Sequence, residues 1–161
     1  MPTKNLEQLV MTRALVKEEI RQGKWDQGSW TDGLEQDPKT GLSKVTCGTT
    51  ACVAGWAVIA DGAEFVSEGT VVATAAEIAD PDLSYEVFEQ MAYAVKKEKY
   101  VPYQVISVSV RARRLLGLDE GEAILLFNGH NSEQTVMRLL GQYIKEARKD
   151  RKKAAKKENA R

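Results

Sequence analysis

The apolar residues of this chain fall into blocks, and the most apolar block sits near the middle. From Cys47 to Ala60 the chain reads Cys-Gly-Thr-Thr-Ala-Cys-Val-Ala-Gly-Trp-Ala-Val-Ile-Ala, without one charge. Such a run predicts a helix that is apolar all round and therefore buried. Thr49 or Thr50 supplies a cap by accepting a backbone N–H, and Asp61-Gly62 ends the helix. Cys52, Trp56 and Ile59 share one side. Ala51, Ala54, Gly55 and Ala57 are small enough to let a second helix come close.

Helical spacing recurs on either side of this block. Leu6, Leu9, Val10, Ala14, Val16 and Ile20 form one arc, which predicts a first helix over 6–22. Phe65–Ser67 and Thr70–Val72 flank a Glu68-Gly69 turn and predict a short hairpin or an extended loop. Asp80-Pro81 marks another helix start. Phe88, Met91, Ala92 and Val95 then lie at i, i+3, i+4 and i+7, which predicts a helix to about Lys99, stopped by Pro102.

Residues 103–116 fit two periods. Ile106, Val108 and Val110 alternate with serines, as in a strand, while Val105, Val108, Ala112, Leu115 and Leu116 fit a helix. The helix is the reading adopted, with Arg111, Arg113 and Arg114 on its exposed end and Gly117 as its C-cap. Asp119 and Glu122 make a capping box for a short helix through Phe127. Asn131 or Ser132 caps a last helix, whose Val136, Leu139, Leu140 and Tyr143 face the core.

Together these patterns predict a mainly α fold. It is a compact bundle of five or six helices around the buried central helix, with room for one small β-hairpin. Residues 1–144 form the helical globular domain, and 145–161 form a basic, fraying helical extension.

Charge separates the same two parts. The 161 residues carry 23 basic and 23 acidic side chains. The segment 145–161 holds nine Lys or Arg against three Asp or Glu, a net of +6, which leaves 14 basic against 20 acidic elsewhere, a net of −6. Lys149, Arg151, Lys152, Lys153, Lys156 and Lys157 are candidates for attracting phosphate by counterion release. The plainer reading is a solvated helix end favoured by the carbonyl dipole. No apolar run reaches the ~20 residues of a membrane helix, and 1–8 lack an apolar leader core. A cytoplasmic protein without a membrane partner is the expectation.

The candidate chemistry is sparse. Residues 24–46 hold turn residues together with Trp25, Trp30 and Leu34. These three side chains either pin a long loop to the core or form an aromatic patch for a partner. Cys47, Cys52 and His130 are too few for a structural zinc site, so no metal is expected. Cys47 near a helix start, with His130 as base and Gly48 and Thr49 as N–H donors, is a weak candidate nucleophile. No phosphate-cradling glycine motif is present, and no cofactor is expected. The segment 111–124 resembles a helix-turn-helix at first sight. However, Ala112 and Gly117 are one residue too far apart, and Asp119, Glu120 and Glu122 would face phosphates.

Cys-Gly-Thr-x-x-Cys-x-Ala-Gly-Trp (47–56), followed by Leu-Leu-Gly-Leu (115–118) and Leu126-Phe127, resembles small uncharacterised proteins of actinobacteria and their bacteriophages. The resemblance covers about 47–127 and implies a phage accessory gene product acting in the host cytoplasm. It implies no activity and no site residues. The expected function is a small non-enzymatic interaction or regulatory protein with a protein partner. Nucleic-acid association through the basic tail is the alternative, and a cysteine-dependent enzyme ranks third.

Overall fold

A computed structural model describes residues 3–158. It corrects the expected mainly α bundle. About 49% of the described residues are helical and 20% are strand, with a six-stranded and a two-stranded antiparallel sheet among them, so the fold mixes α and β.

The chain opens with α1 (Leu6–Arg21), whose cap Asn5 accepts the Gln8 N–H at 3.3 Å. A glycine-rich stretch then contributes β1 (Thr31–Asp32), β2 (Glu35–Gln36), β3 (Ser43–Lys44) and β4 (Thr50–Ala51). The central helix α2 (Val53–Ala60) follows, and then the hairpin β5 (Phe65–Ser67) and β6 (Thr70–Val72). Next come α3 (Ala75–Ala79), a 3-10 turn at Pro81–Leu83, β7 (Phe88–Ala94) and β8 (Lys99–Ser107). The chain closes with α4 (Val108–Leu116), α5 (Glu120–Leu126) and α6 (Glu133–Glu158). The large sheet has the order β2-β3-β5-β6-β8-β7, and β1 pairs with β4 in a separate ribbon.

The core lies where α2 packs against α4 and α1, with α6 on the far side of α1. Phe65, Val71 and Ile106 close it from the sheet. Six of the eight residues of α2 are buried, as an uncharged run requires. Its cap is Cys52, however, and neither Thr49 nor Thr50. Thr49 is buried and hydrogen-bonds Gly33 and Thr46, and Thr50 lies in β4. The small residue Gly55 meets backbone and not a second helix. A Cβ there would overlap the carbonyl oxygen of Trp30.

Local signals placed several elements correctly. These are α1, the hairpin around Glu68-Gly69, the Asp119–Glu122 capping box, the left-handed Gly117 cap and Ser132 at the start of α6. The helix expected over 80–99 does not form. After the 3-10 turn its residues enter β7, which pairs along its whole length with β8. Residues 103–107 are likewise strand, and the helix begins only at Val108, capped by the Ser107 hydroxyl accepting the Val110 N–H. Pro102 ends nothing. It sits within β8, beyond the short stretch that β6 pairs, where a missing N–H costs no ladder bond to a second strand.

Arg111 was expected on an exposed helix end and is only 3% exposed. Its Nε donates to Glu77 at 2.9 Å and its Nη2 to the Val72 carbonyl at 3.0 Å, which ties α4 to α3 and to the end of β6. Among the described residues no helix is long and apolar enough to cross a membrane.

Candidate functional site

Residues 24–30 run beside the start of α2 and are held there by backbone. Ala51 N–H donates to the Lys24 carbonyl, Asp26 N–H to the Ala51 carbonyl and Cys52 N–H to the Ser29 carbonyl, at 2.9–3.3 Å. The Thr31 hydroxyl donates to the Glu68 carbonyl at 2.8 Å, which joins the loop to the β5–β6 turn. The Trp30 carbonyl is therefore locked against Gly55, while its side chain is directed outward and is 38% exposed. It passes near Gly69, whose carbonyl in turn accepts the Val108 N–H at 2.9 Å. Trp30, the hairpin turn and the start of α4 thus meet at one place.

A groove of about 420 Å³ opens there. Trp30 forms one wall. Val110 and the half-buried Arg113 of α4 line it, with Ala123 and Ile124 of α5 and Phe127 just after that helix. Glu86 and Glu120, both exposed, complete its charged lining. Beside it, Ile124 and Leu125 of α5 are 66% and 60% exposed. The two α5 side chains extend the apolar surface beyond the groove.

One buried polar residue holds these walls together. Gln27 donates from its amide nitrogen to the carbonyls of Leu126 at 2.9 Å and Asn128 at 3.2 Å. Its amide oxygen accepts the Val53 N–H at 3.2 Å. The end of α5 and the start of α2 therefore share one side chain, and the Trp30 loop lies between them. Sequence reasoning passed over Gln27, because a glutamine in a turn-rich stretch carries no periodic signal.

No family model matches the chain, and neither a curated protein nor a solved structure matches it. The site is accordingly judged on its own geometry.

The three residues read either as pins of the loop or as a partner patch are not brought to one surface. Trp25 and Leu34 are half-buried against the core, and Trp25 also bridges to Ala51 through its backbone. Only Trp30 reaches the groove. The six basic candidates, Lys149, Arg151, Lys152, Lys153, Lys156 and Lys157, all lie exposed on the last three turns of α6.

The two cysteines differ. Cys52 is buried at the start of α2, where its Sγ accepts the Gly55 N–H at 3.5 Å. Burial pushes its thiol up to about 11. Cys47 is exposed in the turn between β3 and β4, five residues ahead of the cap of α2. His130 is exposed after α5, with its N–H donated to Asn128 at 2.9 Å. Among the described residues no cluster of three His, Cys, Asp or Glu could hold a metal ion.

Proposed function

We propose that the chain is a small interaction module, without catalytic chemistry of its own, that binds a protein partner through the Trp30 groove. The observation that carries this reading is the groove itself. An exposed indole, Ile124 and Phe127 form an apolar surface beside three charged side chains, Glu86, Arg113 and Glu120. Protein interfaces share this anatomy, with an aromatic and aliphatic centre inside a polar edge. Pre-organisation by Gln27 favours the same reading, because walls already fixed lose little freedom on binding. Burial of Cys52, with its raised thiol, counts against that cysteine as a nucleophile.

The test compares the full chain with Trp30→Ala and Ile124→Glu in capture from a nuclease-treated cell extract. Both variants alter exposed side chains, so circular dichroism is expected to be unchanged. A partner retained by the wild type and lost by both variants is the expected result. A partner held equally by all three proteins would place the contact elsewhere and end the groove reading.

A further inference from the structure

The last three turns of α6 sort their charges by helical phase. Ala147 is the last buried residue of α6, and 148–158 are all exposed. Lys145, Arg148, Lys149, Lys152, Lys153 and Lys156 stand at i, i+3, i+4, i+7, i+8 and i+11. At 3.6 residues per turn they occupy an arc of about 140° over a length of about 17 Å. No acidic residue falls in that arc. Glu146 turns back to Lys4 at 3.2 Å, and Asp150 lies on the side shared with Thr3–Glu7. Among the described residues none of the six cations pairs with a carboxylate.

The carbonyl dipole does not account for this face. Its pull falls off within the last turn of a helix, and the stripe begins three turns earlier. A lipid surface is not the matching ligand either. Interfacial helices set large apolar side chains opposite their cations, and past Ile144 this helix offers only alanines as apolar residues. Single strands are bound by aromatic stacking, and residues 145–158 contain no aromatic. What the stripe does match is a straight, dense row of phosphates. Along about 17 Å a DNA duplex carries roughly ten phosphate charges, and its major groove admits a helix. The deep, narrow groove of duplex RNA does not admit one.

We propose that the Lys145–Lys156 face of α6 binds the phosphates of duplex DNA without reading its sequence. Arg151 and Lys157 lie off this face and contribute little. The proposal is independent of the Trp30 groove.

The experiment titrates the full-length protein into a labelled 20-base-pair duplex and reads fluorescence anisotropy between 50 and 200 mM salt (a range of about fourfold, as in studies of counterion release). With six contacts the plot of log K against log salt should slope at about −5. Lys149→Gln/Lys152→Gln removes two charges from the stripe, and Arg151→Gln/Lys157→Gln removes two from outside it. The first pair should weaken binding about tenfold or more at low salt and flatten the slope by about 2, and the second by less than 1. Glutamine keeps helix propensity, so a loss of helix would not confound the comparison. Equal losses from the two pairs, absence of binding at about 100 μM protein, or tighter binding to phosphatidylserine vesicles, to duplex RNA or to a single strand would each overturn the proposal.

Discussion

α2 and β7 are nearly equal in length, eight and seven residues, and each carries a core-like apolar pattern. Their fates differ. α2 is buried on almost every side, while β7 leaves Phe88, Met91 and Tyr93 between 40% and 48% exposed. The inner positions of β7 are the small ones, Ala92 and Ala94, both buried. They are small because the loop between β2 and β3 presses on them. Gly41 sits in left-handed geometry where a Cβ would come 3.0 Å from the Ala92 methyl group and 2.9 Å from the Tyr93 carbonyl. Met91 and Tyr93 on the opposite face are left facing out, where Tyr93 packs on Tyr100 of β8 with ring centroids 5.0 Å apart. Phe88, in phase with Ala92 and Ala94, is exposed at the first position of the strand. Size and burial are thus inverted in β7 and aligned in α2.

The first way to break this comparison is at its tightest contact. Gly55→Leu would drive a side chain into the Trp30 carbonyl and the Ala51 methyl group. Overpacking typically costs ~1–3 kcal/mol and occasionally more, and a clash with backbone lies at the high end, a large part of a typical domain's stability. The expected outcome is loss of the cooperative thermal transition. A normal melt would mean that α2 does not meet the Trp30 loop.

The joint between helices and sheet should rank next. Buried Arg111 and half-buried Glu77 form an ion pair, and removing one partner of a fully buried pair costs ~3–5 kcal/mol, which sets the upper bound here. Glu77→Gln is expected to show that loss by urea unfolding at pH 7. Burial alone would raise the Glu77 carboxyl, but hydrogen bonds from Arg111 and Thr74 outweigh it and hold the carboxyl below its ordinary value. A depressed carboxyl stabilises the fold above its unfolded value of about 4.3. That contribution fades as pH falls through the lower, folded value. The wild type should lose it below about pH 4, and Glu77→Gln should lack that part of the acid dependence.

The smallest effects sharpen the inversion itself. Ala92→Leu should cost ~1–3 kcal/mol by pushing Gly41 away, because the inner face has no room. Met91→Thr, one residue away on the outer face, should stay within ~0.5 kcal/mol. Paired thermal melts of the two variants test this. Equal costs would mean that both faces of the hairpin are packed alike.

The inversion also explains what could be read from the sequence. Several local signals held, although the Thr49 or Thr50 cap and the Pro102 stop did not form. Asp119 with Glu122, Gly117 and the Glu68-Gly69 turn each need only neighbours within a few residues. The spacing of Phe88, Met91, Ala92 and Val95 satisfied a helix, but their strand partners, Lys99–Val105, and the loop above Ala92 are supplied by the rest of the fold. Arg111 was misplaced for the same reason, since its partner Glu77 lies 34 residues away. At the candidate site, Trp30 was visible as an aromatic among turn residues, and the basic tail was visible as a charge run. Gln27 and the face shared by Val110 and Ile124 were not, because they form only when α2, α4 and α5 meet.

No glycine or proline interrupts α6 after Gly141, so the packed half and the exposed half are one continuous rod. The helix leaves the body without a joint, beside the α5 segment that walls the groove. Whatever rests along the far half is held at a set angle to Trp30, as the two arms of a bracket are held. The chain's geometry can therefore fix the spacing between two things it touches at once, which a flexible tail of the same charge could not do.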